Sequence, residues 1–286
     1  MESPPEDDEV RISREFRREA KKHLKHVSNL EVESYVDQVG RRLLSAMGPQ
    51  PFDYRFFVIE DSQLNAFAVP GGSIYVFTGL LDRVQSTGEL SGVLAHEIIH
   101  IKDRHMARLS GTDPLSLLGM LGAMLSRGGA AAQAAGALGQ ALAATRQFSY
   151  NRKLEMEADT LGVKYMAEAG YDPRAALGFL RILDQERTLN PVDLPPYLMT
   201  HPLSQERVAN VELVIRSMTP ERSRAEEPDQ IKRIQTILRL ERHEENAVIA
   251  EQNKLLDTSP AEAMHLLGIA YSYKGVWPEA RRNFER

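Results

Sequence analysis

Glu89-Leu90-Ser91-Gly92-Val93-Leu94-Ala95-His96-Glu97-Ile98-Ile99-His100-Ile101 decides how this chain is read. Leu90, Val93, Leu94, Ile98 and Ile101 form an apolar stripe at helical spacing, and Ser86 with Glu89 three residues on supplies a capping-box start. Residues four apart on a helix stack on one face, so His96 and His100 point the same way and can grip one metal ion. Glu97 lies beside them, placed to act on a water at that ion. Two histidines and a carboxylate at this spacing are what a zinc-dependent peptide hydrolase needs. A buried helix whose histidines are only structural is the competing reading, and the rest of the chain decides between them.

Downstream, a helix is expected from about Ser149 to Ala169, ended by Gly170 with Pro173 beyond it. Glu155 and Asp159 share one face of it, and Glu157 projects away from both. If this helix packs beside the first, Glu155 completes a His-His-Glu site with a fourth position left for water. Asp159 would then take the far nitrogen of a ligand histidine, which fixes tautomer and ring angle. A solvated acidic face is the commoner fate of such residues, but Ala158 and Leu161 put apolar neighbours beside these two. Thr200-His201-Pro202 follows a proline-rich loop, and Pro202 reads as the first turn of a helix, with His201 at its N-terminal edge. There His201 can enter the cleft as a fourth ligand in a resting state or as a donor to a developing oxyanion, although a loop histidine is more often merely exposed. The metal helix is expected to run on through Lys102, Asp103 and Arg104 to Met106. His105, five residues past His100, then falls off the metal face and reads as solvated.

Upstream, residues from about Asp8 to Met47 read as two helices with Asn29 as a cap between them, and Phe52 to Ile59 as a strand. Two short apolar runs flank Pro70-Gly71-Gly72, a strong hairpin signal because glycine tolerates the positive φ of a tight turn. An ordinary hairpin is one reading. The functional one has a strand edge beside the metal onto which an extended peptide adds, with Asn65, Gly71, Gly72, Ser73, Ile74 and Tyr75 as substrate-binding residues.

At 286 residues the chain can bury a full core, and 42% hydrophobic with 26% charged residues is ordinary for a globular protein. The net charge of -5 recommends no nucleic-acid partner, and the absence of cysteine leaves His and carboxylate as the metal ligands. No signal segment is visible after Met1. Residues 115–144 are rich in Leu, Met, Ala and Gly but too interrupted for a transmembrane helix. They read as a buried helical hairpin or as a flap making peripheral membrane contact.

Together these elements resemble the zinc metallopeptidase family of the CAAX prenyl protease, HtpX and the BepA-type periplasmic proteases. The resemblance rests on Asn65-Ala66-Phe67, Gly71-Gly72-x-Ile74-Tyr75, His96-Glu97-x-x-His100, Glu155-x-x-x-Asp159 and Thr200-His201-Pro202 followed by Arg207, in the family's order across roughly residues 8–215. It implies an α+β fold, a mostly helical gluzincin-type domain with a small β-sheet, over residues 1–218. It also implies one Zn(2+) per chain held by His96, His100 and Glu155, with Glu97 as general base, Asp159 orienting a ligand and His201 near the metal as switch or stabiliser. Polypeptides of the cell envelope are the implied substrates, and the periplasm or the membrane periphery of a Gram-negative bacterium the implied location. A chaperone-like assembly factor for envelope proteins is the alternative.

Residues 219–286 are expected to hold an acidic linker, a long helix from Gln230 to Leu256 and the beginning of a tetratricopeptide (TPR) region. Leu267-Gly268-x-x-Tyr271, Gly275 and Ala280-x-x-x-Phe284 match part of that repeat, with Met264 at its usual Trp position. Protein partners would bind there. One repeat cannot bury its own face, so the natural protein is expected to continue.

Overall fold

Side chains alternate along three short strands, so one small sheet has two faces, and each face has its own helical cover. In the computed structural model, which describes residues 6–110, 152–218 and 230–285, the strands are β1 (Arg55–Ile59), β2 (Ala66–Val69) and β3 (Ser73–Phe77). They are ordered β1-β3-β2, β3 pairing parallel with β1 and antiparallel with β2. Phe57, Ile59, Phe67, Val69, Tyr75 and Phe77 form one face, where Ile12, Phe16 and Ala20 of helix α1 (Glu6–His23) pack on them. The Tyr75 ring stacks between Phe57 and Phe67 at 4.9 and 5.0 Å, and Phe16 meets Phe67 and Tyr75 edge-on. The opposite face is covered by α2 (Leu30–Ala46), capped by Asn29 as expected, and by α4 (Thr87–Lys102). The short α3 (Thr78–Leu81) joins β3 to the turn before α4.

The expected hairpin forms, with Gly71 at φ +86° and Gly72 at φ +107°. Its strand order corrects one expectation. Ser73, Ile74 and Tyr75 lie on the central strand, fully buried and paired on both sides, so they offer no edge to a peptide. Residues 25–27 close the outer side of β1 through Val27 N–H to Val58 O and Glu60 N–H to Lys25 O. Among the described residues β2 is the edge left without a strand beside it.

Ser86 caps α4 by accepting from the Glu89 amide, and every residue of α4 except Gly92, His100 and Lys102 is buried. The helix ends earlier than the apolar stripe suggested. Arg104 takes a left-handed conformation at φ 53°, and a new short helix α5 (His105–Ser110) starts behind it. From residue 152 onward come α6 (Arg152–Glu168), α7 (Ala175–Leu189), α8 (Pro196–Thr200) and α9 (Gln205–Ser217). Gly170 closes α6 as expected, at φ +77°, with Tyr171 N–H returning to Met166 O. Residues 115–144 and the linker at 219–229 lie outside the described residues. Among those described, no helix is long and apolar enough to cross a membrane.

The chain divides into two compact units, Met1–Glu226 and Glu227–Arg286. In the second, the single helix expected from Gln230 to Leu256 is two: α10 (Gln230–Glu241) and α11 (Glu245–Leu255). His243 at φ 63° turns the chain, Glu244 N–H closes on Arg239 O, and the Arg239 side chain ties the turn to Glu244 and Glu251. Helices α12 (Pro260–Tyr273) and α13 (Trp277–Phe284) follow, with Gly268 directly under the Phe284 ring.

The Gly71 turn is where α1 locks onto the sheet, since a Cβ there would meet the Glu9 carbonyl oxygen at 2.2 Å. Gly71→Ala combines that backbone clash with a disfavoured φ and is expected to destabilise the folded state by about 1–3 kcal/mol, measurable by chemical denaturation.

Candidate metal centre

His96, Glu97 and His100 project from α4 toward α6, and a glycine brings the two helices together. A Cβ at Gly162 would stand 3.3 Å from the His96 amide nitrogen, tight enough to push the helices a few tenths of an ångström apart. Glu155 and Asp159, one turn apart on α6, are thereby pressed into the interface at 6% and 8% exposure. The face of α6 that carries them is the buried one, as the apolar neighbours implied.

The described residues bring His96, His100, Glu155 and His201 to a single point, with one donor atom from each within 4.8 Å of the others. His96 Nε2 lies 2.9 Å from His100 Nε2 and 3.4 Å from Glu155 Oε2, and His100 Nε2 is 3.3 Å from Glu155 Oε1. His201 Nδ1 is 3.3 Å from His96 Nε2 and 3.2 Å from both Glu155 oxygens. Four ligands held about 2.0–2.1 Å from one tetrahedral ion stand roughly 3.3 Å apart, which is the spacing seen here. Charge points the same way. Glu155, Asp159 and Glu97 are buried together, and the one buried guanidinium among them belongs to Arg207. The surplus negative charge suits a cation.

Asp159 Oδ1 is 3.0 Å from His96 Nδ1, so the proton of a neutral His96 lies on Nδ1 and its Nε2 lone pair faces the cluster. Burial opposes the charge on Asp159, but Arg207 outweighs it and holds the carboxyl down at about 2. Arg207 donates to both Asp159 oxygens at 2.7 and 2.8 Å, stands 3.1 Å from Glu155, and donates to the carbonyls of His201 and Pro202. Burial would also lower His96, yet Asp159 and Glu155 raise it to about 9, a further sign that positive charge is favoured here.

His201 reaches the cluster by a route other than the one expected. It terminates the short α8, its amide bonded to Tyr197 O, while the next helix begins only at Gln205 under a Ser204 cap. Tyr197 is buried with its ring 4.7 Å from that of His201, and it is an electrostatic neighbour of the Glu97 carboxyl. Burial raises the Glu97 carboxyl above its ordinary range. Glu97 Oε1 lies 3.5 Å from His201 Nε2 and accepts no hydrogen bond among the described residues. Asn65, just before β2, is buried, and the turn glycines Gly71 and Gly72 sit against the backbones of Glu9 and Asp53.

His105 corrects an expectation outright. It is 1% exposed, its Nδ1 is 3.0 Å from His100 Nδ1, and burial followed by the charge of His100 pulls its pKa down to about 3. The left-handed Arg104 breaks the helical register, so counting five residues along a continuous helix misplaces the ring. Arg207 and Tyr197 are the other residues whose roles sequence reasoning missed. Arg207 entered only as part of a resemblance, and nothing local marks Tyr197.

Comparison with known proteins is consistent with this cluster. Residues 31–214 match the model of Peptidase family M48. The beta-barrel assembly-enhancing protease of Escherichia coli (strain K12) is 34% identical over 193 residues, covering 65% of this chain and 39% of that protein. The mitochondrial metalloendopeptidase OMA1 of Schizosaccharomyces pombe is 32% identical over 180 residues, covering 62% of this chain and 51% of that protein. OMA1 of Bos taurus is 27% identical over 224 residues, 68% of this chain and 43% of that protein. The chain thus spans 39% to 51% of the length of these relatives.

Arg207→Leu should leave Asp159 as a buried charge without its guanidinium partner and cost about 3–5 kcal/mol of stability. Thermal melts of the metal-free and metal-loaded protein would measure it, and the loss should be smaller with metal present.

Proposed function

The chain belongs to peptidase family M48, and from that premise we propose that it works as a zinc-dependent endopeptidase with His96, His100 and Glu155 as ligands. The convergence of three imidazoles and one carboxylate within 4.8 Å carries the reading. Histidine nitrogen and carboxylate oxygen without thiolate suit Zn(2+), one ion per chain.

Zinc, when bound, supplies a Lewis acid that makes water acidic near neutral pH and polarises the scissile carbonyl. Glu97 takes the proton from the attacking water and passes it to the leaving amine. Its buried position suits that work, because burial raises the carboxyl's pKa and makes it a better proton acceptor than an exposed carboxylate. Asp159 fixes the His96 ring, and Arg207 fixes Asp159. With Nδ1 3.2 Å from both Glu155 oxygens, His201 would take the fourth position in a resting state, and its displacement would open the site. Swung toward the carbonyl oxygen, the same ring can stabilise the oxyanion.

An extended polypeptide substrate would add along β2, which among the described residues has no strand on its outer side. Ala68 of that strand and Pro70 just after it border a space near His100 that Glu9, Ile101, Arg104 and Met106 close to about the size of one water, so a substrate on this edge would have to part those side chains. The name of the Escherichia coli relative couples protease action with β-barrel assembly. It supports envelope proteins as substrates and the periplasm or membrane periphery as the location. The helices after residue 219 would serve as a TPR-like surface for protein partners. A chaperone-like role without cleavage is the rival reading, and Glu97 decides between them.

Glu97→Gln is expected to reduce cleavage of an unfolded protein such as casein by about 10²-fold or more while zinc content stays near one per chain. Undiminished cleavage in that variant, or in the presence of a chelator, would sink the peptidase reading. His201→Ala should raise the turnover number several-fold if the ring blocks the metal. A comparable fall would assign it to oxyanion stabilisation instead.

A further inference from the structure

His100 has a partner that neither the motif nor the peptidase reading uses. Its Nε2 is the atom turned to the cluster, 2.9 Å from His96 Nε2 and 3.3 Å from Glu155 Oε1. A neutral imidazole with its lone pair on Nε2 carries its proton on Nδ1. That Nδ1 faces His105 Nδ1 at 3.0 Å. Two ring nitrogens at that distance need one proton between them, and His100 supplies it. His105 must therefore accept at Nδ1, which leaves its own proton on Nε2. That Nε2 is buried, has no hydrogen-bond partner among the described residues, and points to Glu157 Oε2 at 3.6 Å, beyond hydrogen-bond range but within electrostatic reach. Arg108 in turn holds the same Glu157 oxygen at 3.2 Å.

We propose that His105 is a positioning residue for the metal: its Nδ1 accepts the His100 Nδ1 proton and so holds the His100 Nε2 lone pair on the ion. The proposal rests on the metal reading above and deepens it. It also makes the two ligands of the motif unequal. His96 is backed by a carboxylate that Arg207 locks in place, whereas His100 is backed by a neutral ring with a carboxylate beyond it. Ligand basicity follows the acceptor behind the ring, so His96 is the stronger donor of the two.

Asp103, His105 and Glu157 also lie close enough to hold a second cation themselves. The neighbouring cations favour the relay. Lys102 Nζ is 3.6 Å from Asp103 and Arg108 is 3.2 Å from Glu157, so both carboxylates already have positive charge beside them.

Zinc affinity of the full chain, read by competition with a chromophoric chelator, tests the relay in His105→Phe and His105→Asn. The Phe variant keeps the ring's bulk and loses the acceptor, and should bind zinc about 10–100-fold more weakly. The Asn variant puts Oδ1 where Nδ1 stood and should recover affinity to within about threefold of the wild type. Nitrogen-15 spectra of the histidine-labelled, zinc-loaded wild type give a reading that needs no variant. His105 should show a bare Nδ1 and a protonated Nε2. Three results would overturn the relay: the opposite tautomer, wild-type affinity in His105→Phe, or an Asn variant as weak as the Phe variant. A second zinc per chain that disappears in His105→Phe would overturn it in favour of a second cation site. A wild type that binds no zinc would instead overturn the metal reading, and the relay with it.

Discussion

Two carboxylates one turn apart on a helix that is shut away from water set the terms for the rest of this unit. Glu155 and Asp159 cannot keep their charge in such a place unless fixed positive groups and hydrogen-bond donors surround them. His201, His100 and His96 supply the donors around Glu155, while Arg207 does this for Asp159 and reaches Glu155 at 3.1 Å. Its remaining hydrogens go to the carbonyls of His201 and Pro202, so the residue that neutralises α6 also fixes the chain that carries His201. Charge balance and loop position are one arrangement, and neither can be altered alone.

The same arrangement explains how the two histidine rings at the end of α4 are oriented. Asp159 fixes one histidine from α6, His105 faces the other from α5, and Gly162 sets the distance between the helices. Three separate segments therefore decide where two ring nitrogens point. An ion placed among them meets donors that are already oriented, and little side-chain entropy remains to be lost on binding.

How much of this was readable in the chain depends on how local each signal is. The α4 helix, its Ser86 cap, the Asn29 cap, the Gly71-Gly72 turn and the end of α6 at Gly170 all depend on a few neighbouring residues, and they formed where the sequence placed them. The pairing of Glu155 with His96 and His100 was readable because a metal site requires three ligands, and the chain offers few buried carboxylates on a helical face. Failures came where one backbone torsion changed the count. Arg104 and His243 take left-handed conformations with no glycine to announce them, and each ends a helix that periodicity would have continued. The central position of β3 was hidden for another reason, since strand order is a long-range property that alternation does not encode. Arg207 and Asp159 are 48 residues apart, and no local pattern marks such a pair.

The match to the peptidase family begins at residue 31, while α1 ends at His23. Yet Ile12, Phe16 and Ala20 are what cover the aromatic face of the sheet, and Glu9 reaches Arg104 at the turn that buries His105. Homology and physical completeness thus draw different boundaries. A fragment trimmed to the family's limits would present Phe57, Phe67, Tyr75 and Phe77 to water as a sticky patch and would loosen the corner behind His100. In this chain the segment outside the recognised family region is part of the first unit's core, and any dissection of the protein has to keep it.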